Sequence, residues 1–254
     1  MVSQYAGQST VTIRPTQLYD VSAREQNKAV DEWCEFFAAG PSPIYDLTIA
    51  TRLPKRLFDS LAGQTQLRKL STSWGVYDDL AALGNMPHLA ELHLESATSV
   101  TTIEPLRTMT QLLDLTLGNT VRLRDFSPLG ELTNLRQLTI GGGGEARIHA
   151  ESLNFLLSLR ELRKLNCWVV PIDLDYSVVL ALDWIEEIDL VEAKGMNPSL
   201  MDLEWSVPGI ARLIEERRVG NNYVWEKGVR IGDYRRDQNG ESFFFRYGDD
   251  GSGR

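Results

Sequence analysis

The sequence has little cysteine and no long hydrophobic run. Only Cys34 and Cys167 occur among its 254 residues, too few for a disulfide framework and typical of a reducing cytoplasm. No segment approaches the roughly 18 consecutive apolar residues that a membrane-spanning helix needs. The first 15 residues lack a basic start followed by an apolar core, so we predict no secretory signal. We therefore expect a cytoplasmic protein without a membrane partner.

Positive charge is also scarce. Lysine and arginine total 26 against 35 aspartate and glutamate residues, for a net charge of −9. Residues 198–254 hold ten acidic and nine basic side chains, so nearly all of the excess lies in the first 197 residues. Phosphate backbones repel such a surface, which argues against nucleic acid. A protein with a basic surface is the expected partner.

Histidine is rare, and no catalytic motif is visible. Glu91, His93 and Glu95 alternate along one predicted strand, with Cα atoms roughly 6.5 to 7 Å apart on one face. That spacing is awkward for binding one metal ion, so we interpret these residues as a solvated acidic patch. The four glycines at 141–144 lack a following Gly-Lys-Ser/Thr and indicate a loop. We expect no enzymatic activity, no metal and no cofactor.

What the sequence does contain is a short apolar pattern repeated seven times. Its clearest copies are LAELHL, LLDLTL and LRQLTI, which begin at Leu89, Leu112 and Leu135, 23 residues apart. The apolar positions of all copies are Ile44/Leu47/Ile49, Leu67/Leu70/Thr72, Leu89/Leu92/Leu94, Leu112/Leu115/Leu117, Leu135/Leu138/Ile140, Leu162/Leu165/Cys167 and Ile185/Ile188/Leu190. One spacing of 27 residues contains the four glycines, which predicts a loop insertion that leaves the register intact. A period of this length predicts a solenoid.

The repeats resemble those of leucine-rich-repeat proteins, within the short-repeat subclass that includes the internalins and the repeat-containing phosphatase regulator. The segments IEPL at 103–106 and FSPL at 126–129 match the outer part of that repeat, and the resemblance covers residues 44–191. It implies an α/β solenoid with a parallel sheet on the concave face and short helical segments outside, where proline suits the first helical turn.

One position departs from that family. The family usually places asparagine three residues after the third apolar position, where its side chain satisfies backbone groups between coils. This sequence has instead Arg52, Gly75, Ala97, Thr120, Gly143, Val170 and Ala193. Water, hydroxyl groups or an altered turn must then pair with the buried backbone groups, and the curvature of the solenoid stays open.

Segments of a different character flank the repeats. Residues 1–43 contain a predicted strand at 10–13 and an amphipathic helix that begins with a capping box of Ser22 and Glu25. We predict that they form an N-terminal cap; a partner-binding helix is the alternative. After the repeats at 44–197, residues 198–254 predict a helix near 209–218, a β-meander at 223–247 and a mobile tail from 248. A C-terminal cap is the preferred role; a ligand-binding or catalytic module is the alternative.

Side chains between the apolar positions should face the concave surface, because side chains alternate across a strand. We predict that a partner binds there, the alternative being a merely solvated face. Small residues at Thr116, Gly118, Thr139 and Gly141 would let the partner approach closely. The predicted partner-binding residues are Lys69, Ser71, Trp74, Glu91, His93, Glu95, Asp114, Thr116, Gln137, Thr139, Lys164, Asn166, Trp168, Glu187 and Asp189.

These features together favour a non-enzymatic protein-interaction module that is a monomer when free. Its acidity and its lack of an effector domain favour an inhibitor or immunity protein, bacterial and cytoplasmic, for a basic toxin or enzyme. A repeat scaffold that displays a functional C-terminal module is the alternative.

Overall fold

The computed structural model describes residues 2–142 and 147–210, together with the backbone of three strands at 223–226, 229–236 and 242–246. The helices are α1 (Ala23–Ala38), α2 (Lys55–Ser60) and α3 (Leu200–Ser206). The strands before α3 are β1 (Thr10–Ile13), β2 (Asp46–Leu53), β3 (Lys69–Gly75), β4 (Glu91–Leu94), β5 (Asp114–Leu117), β6 (Gln137–Gly141), β7 (Ile148–Ala150), β8 (Lys164–Pro171) and β9 (Glu187–Leu190). The strands after it are β10 (Tyr223–Glu226), β11 (Val229–Arg236) and β12 (Ser242–Arg246).

Strands β1 to β9 form one parallel sheet that follows the order of the repeats. The path runs β1-β2-β3-β4-β5-β6-β8, and both β9 and β7 pair with β8. Equivalent residues of successive repeats lie opposite each other, and Gln137 still faces Lys164 across the 27-residue spacing. The prediction that the insertion preserves the register is therefore confirmed. The sequence did not predict β7, which pairs with the end of β8 at residues 169–171.

The apolar positions of the repeats form the core. All of the predicted positions are buried, including the polar Thr72 and the small thiol of Cys167. On the outer side, each coil turns through a short 3₁₀ helix, as at Glu104–Leu106 and Ser127–Glu131, with proline in the first turn. The predicted α/β solenoid with short outer helices is confirmed.

Side chains just before the strands hold successive coils together. In four coils, the residue that precedes the first apolar position donates a hydrogen bond to a backbone carbonyl of the preceding coil. These bonds are Gln66 Nε2 to Ile44 O (2.8 Å), Gln111 Nε2 to Met86 O (2.8 Å), Asn134 Nδ2 to Thr110 O (2.8 Å) and Trp184 Nε1 to Leu159 O (2.9 Å). They link side chains of one coil to the backbone of the coil before it.

At the opposite ends of the strands, the backbone itself takes the place of the asparagine ladder. The Ala97 N–H donates to Gly118 O at 3.0 Å, and the Asn119 N–H donates to Gly142 O at 3.1 Å. Asn119 has a φ of 52°, which turns its peptide toward the next coil. An altered turn is therefore found in these two coils, whereas at the first coil the Thr16 hydroxyl donates to the Arg52 carbonyl at 2.7 Å.

The N-terminal segment closes one end of the core. β1 lies parallel to β2 and extends the sheet, while Trp33 and Phe37 of α1 are buried in the core. The predicted capping box of Ser22 and Glu25 is present at the start of α1. The buried Gln64 amide donates to the Phe37 and Gly40 carbonyls, so it ties the end of this helix to the first coils.

The C-terminal segment begins with α3, whose Leu203 joins the core. Strands β10, β11 and β12 form a separate antiparallel meander at the predicted place. Residues 211–218 of the predicted helix and the predicted tail lie outside the described residues, and the capping role of the meander remains a prediction. Within the described part of the chain, no helix is both long and apolar enough to cross a membrane.

Candidate protein-binding surface

The outward side chains of the parallel strands form two rows on the concave face. The first row is Asp46, Lys69, Glu91, Asp114, Gln137, Lys164 and Glu187. The second row is Thr48, Ser71, His93, Thr116, Thr139, Asn166 and Asp189. The register therefore places most of the predicted partner-binding residues on one continuous surface, while Trp74, Glu95 and Trp168 lie at or just beyond its edge.

Charged side chains of the first row pair across neighbouring strands. Lys69 Nζ lies 2.7 Å from Glu91 Oε2, and Lys164 Nζ lies 2.9 Å from Glu187 Oε1. The hydrogen bond to Glu91 raises the pKa of Lys69, so this amine stays charged. The pairs are partly exposed, and such pairs contribute about 0.2 to 1 kcal/mol. Two carboxylates of this face, Glu91 and Glu187, are therefore paired with lysines of the same face.

His93 lies between a hydroxyl and a carboxylate. Its Nε2 is 3.3 Å from Asp114 Oδ1, and its Nδ1 is 3.4 Å from Ser71 Oγ. The Asp114 carboxylate raises the pKa of His93, against the opposing effect of partial burial. The distance to Ser71 is long for a hydrogen bond to a hydroxyl, so His93 is poorly placed to activate Ser71 as a nucleophile.

A buried carboxylate holds Trp168 at the edge of this face. The indole is 38% exposed, and its Nε1–H donates to Asp189 Oδ2 at 3.1 Å. Asp189 itself is only 5% exposed, which differs from its predicted place among the solvent-facing residues. Its carboxylate lies against the Trp168 indole, whose N–H it accepts. Asp189 therefore positions Trp168 and does not present its charge to solvent.

A second exposed indole, that of Trp74, is held by a cation. It is 37% exposed, and the Arg52 guanidinium lies 5.5 Å from its ring centroid. Exposed tryptophans with fixed orientations are the side chains that dominate many protein interfaces. The structure thus places both predicted aromatic anchors at the solvent surface.

The glycines of the central coils are required by the packing of the chain itself. A Cβ on Gly118 would overlap the Glu95 carbonyl oxygen, and one on Gly141 would lie 2.6 Å from the Trp168 carbonyl oxygen. Neighbouring coils therefore require glycine at these two positions. Close approach of a partner at the small residues stays a prediction.

The strand face keeps an excess of negative charge after pairing. The alternating strand positions carry six carboxylates and two lysines. Neither Asp46 nor Glu95 forms an ion pair with another described residue, and Glu95 is exposed. A cation that approaches Asp46 or Glu95 therefore meets a carboxylate that is not in an ion pair with a lysine of this face.

The described residues offer little for catalysis. Within them, no group of three His, Cys, Asp or Glu side chains is placed to hold a metal ion. Burial raises the pKa of the Cys34 thiol, and it raises the pKa of Cys167 to about 12. Neither thiol is therefore a thiolate at neutral pH, and the thiolate is the reactive form.

The comparisons with known proteins found similar solved structures. No family model matches the chain, and no curated protein matches it. An internalin from Listeria monocytogenes shares 21% identity over 58% of this chain and 39% of its own, with a TM-score of 0.44. Internalin C2 from Listeria monocytogenes shares 24% identity over 59% of this chain and 62% of its own, with a TM-score of 0.49. A leucine-rich-repeat protein from Leptospira interrogans shares 14% identity over 73% of this chain and 58% of its own, with a TM-score of 0.28.

The chain spans less than two thirds of each of these three structures. The fold follows from the geometry of the chain itself. An in-register parallel sheet with seven buried apolar triplets defines a repeat solenoid. Its strand spacing and outer 3₁₀ turns give the chain the fold of a leucine-rich-repeat solenoid.

Proposed function

We propose that this protein is a non-enzymatic interaction module that binds another protein through its concave face. The observation that carries this proposal is the pair of exposed tryptophans, Trp74 and Trp168, held in place at the edge of a continuous polar face. A fixed aromatic side chain loses little conformational entropy on binding, so it can contribute more affinity than a mobile one. Of the predicted residues, only Asp189 acts indirectly, through Trp168.

The charge of the face supports a partner with a basic surface. The excess of carboxylates on the strand positions agrees with the net charge of −9 for the whole chain. Complementary charge speeds diffusional encounter and makes the association rate depend on salt. We infer a basic toxin or enzyme as the partner, which this protein inhibits in a bacterial cytoplasm.

Affinity capture with two matched variants tests the proposal. The face variant combines Glu91→Lys with Trp168→Ala. The control combines Asp183→Lys with Leu180→Ala, which makes the same kinds of change at exposed sites outside the strand face. Wild-type protein and the control should capture the same partner from a lysate of the source organism, and the face variant should lose it.

Two further results bear on that comparison. The control should melt at a temperature close to that of the wild type, since surface changes rarely exceed about 0.5 kcal/mol. The face variant should stay folded but melt at a lower temperature, because it loses the ion pair of Lys69 with Glu91 and the hydrogen bond from Trp168 to the buried Asp189. A partner retained by the folded face variant would place the binding surface elsewhere.

A further inference from the structure

We propose that the C-terminal ends of the strands from β3 to β8 bind one extended partner segment with a defined pattern. The segment carries a lysine or arginine next to an apolar residue, and a second apolar residue about six positions further along. This inference rests on the proposed function, because it specifies what the same concave face recognises. We call the region bounded by Trp74 and Trp168 the tryptophan channel.

The two tryptophans form the ends of the channel, and each is held by its own contact. Trp74 stacks against the Arg52 guanidinium, whereas Trp168 donates its indole N–H to Asp189. The Trp168 ring also covers Gly142, where an added Cβ would overlap Cε3 of the indole. Because both rings are fixed before binding, they define two apolar contacts at a set separation.

That separation gives the length of the segment. Strands β4, β5 and β6 lie between β3 and β8, so Trp74 and Trp168 are four strand spacings apart. At about 4.8 Å per spacing the distance is about 19 Å, and an extended chain covers it with about six residues at about 3.3 Å each. The two apolar positions of the segment should therefore lie about six residues apart.

Two positions between the two indoles carry no side chain. Gly118 and Gly141 are both buried, because neighbouring coils pack closely against them. The contacts that define the segment are therefore those at Trp74, Glu95 and Trp168.

Charge determines where the basic residue of the segment lies. Glu95 belongs to the coil directly after Trp74, is exposed and has no ion pair with a described residue. Arg52 lies on the strand before Trp74 and repels a cation on that side. A lysine or arginine of the partner therefore fits between the tryptophans and next to Trp74, where it meets both the carboxylate and the face of the ring.

Selection from a displayed library of random linear peptides tests the pattern. The library is panned against wild-type protein and, in parallel, against a Trp74→Ala/Trp168→Ala variant. We expect peptides enriched only on the wild type to carry a basic residue beside an apolar one, with a second apolar residue about six positions away. Absence of any enrichment over the double variant would overturn the proposal.

Measured affinities of the selected peptides then test the tryptophan channel separately from binding to the concave face as a whole. Glu95→Gln and Trp74→Ala should each weaken binding about tenfold or more, since central contacts of this kind dominate interfaces. Glu151→Gln, at an exposed acid outside the strand face, should have no effect. Selection on Glu95→Lys should replace the basic residue of the pattern with an acidic one.

Other outcomes would count against specific claims. If binding falls with Glu91→Lys but not with Glu95→Gln or Trp74→Ala, the concave face binds and the tryptophan channel is wrong. If Glu91→Lys, Glu95→Gln and Trp74→Ala all leave peptide binding unchanged, as the control Asp183→Lys should, both the tryptophan channel and the proposed function fail.

Discussion

The two sides of the same strands differ in how much they vary from coil to coil. The side that faces the core presents leucine or isoleucine at nearly every repeat position, with Thr72 and Cys167 as exceptions. The side that faces solvent changes at each coil, from lysine to glutamate to aspartate along the first row. Stability therefore depends on the uniform side, and recognition can depend only on the variable one.

Truncating a core leucine should give the largest effect. Leu115 is fully buried in β5, so Leu115→Ala removes packed methyl groups and leaves a cavity. We expect a loss of about 2 to 5 kcal/mol in the free energy of unfolding, measured by urea denaturation. Leu113, two residues earlier and 37% exposed, is the matched control and should lose less than about 1 kcal/mol as alanine. Similar losses for both variants would contradict the assignment of Leu115 to the core-facing side of β5.

Adding a methyl group at Gly118 should have the next largest effect. The new Cβ would overlap the Glu95 carbonyl oxygen, a backbone atom that cannot move without shifting its strand. We expect Gly118→Ala to cost about 1 to 3 kcal/mol on thermal unfolding. Gly84→Ala is the control, because its nearest neighbour, the Ala81 carbonyl oxygen, would be at an ordinary 3.5 Å. A stable Gly118→Ala protein would show that the coils are not in close contact there.

His93 should make stability depend on pH. Asp114 raises the pKa of His93 in the folded protein above the ordinary 6.5, so the folded state binds this proton more tightly than the unfolded state. The resulting stabilisation is fully present below about pH 6.5 and is lost as the pH rises through the folded pKa.

Urea unfolding of wild type and His93→Gln at pH 5.5 and pH 8.5 measures this contribution. We expect the advantage of the wild type to be about 0.5 kcal/mol larger at the lower pH, on the scale of partly exposed ion pairs. The Asp114→Asn variant should lose the same pH dependence. An advantage that grows toward pH 8.5 would refute the proposed interaction.

The ion pair between Lys164 and Glu187 should contribute least. Both side chains are partly exposed, so solvent screens their attraction. A double-mutant cycle with Lys164→Ala and Glu187→Ala should give a coupling of about 0.3 kcal/mol at low salt. In 1 M salt the coupling should approach zero. A coupling above about 2 kcal/mol would mean that the first row supports the fold more than its exposure implies.

The sequence predicts the core well because burial leaves a direct trace in it. The spacing of apolar residues follows the alternation of a strand, so the repeat pattern alone assigns Leu92, Leu115 and Leu138 to one buried column, where they lie side by side. Strand β7 has only three residues, Ile148 to Ala150, and such a short segment carries no readable alternation.

The sequence predicts the contacts of the concave face less well, although a signal for them exists. Alternation along each strand places the side chains on a face, while the ion pair of Lys69 with Glu91 runs between strands. The repeat period itself places residues 22 or 23 positions apart side by side, so this pair is readable from the sequence. The bond from Trp168 to Asp189 spans 21 positions and runs diagonally between coils, and only the three-dimensional structure reveals it.

The most direct test of recognition through the concave face is the affinity of the captured partner for three forms of this protein. Calorimetry would compare the wild type, the face variant Glu91→Lys/Trp168→Ala and the control Asp183→Lys/Leu180→Ala. We predict that the control binds like the wild type and that the face variant binds at least about tenfold more weakly while remaining folded. Equal affinity for all three forms, or a loss in the control as large as that in the face variant, would contradict recognition through this face.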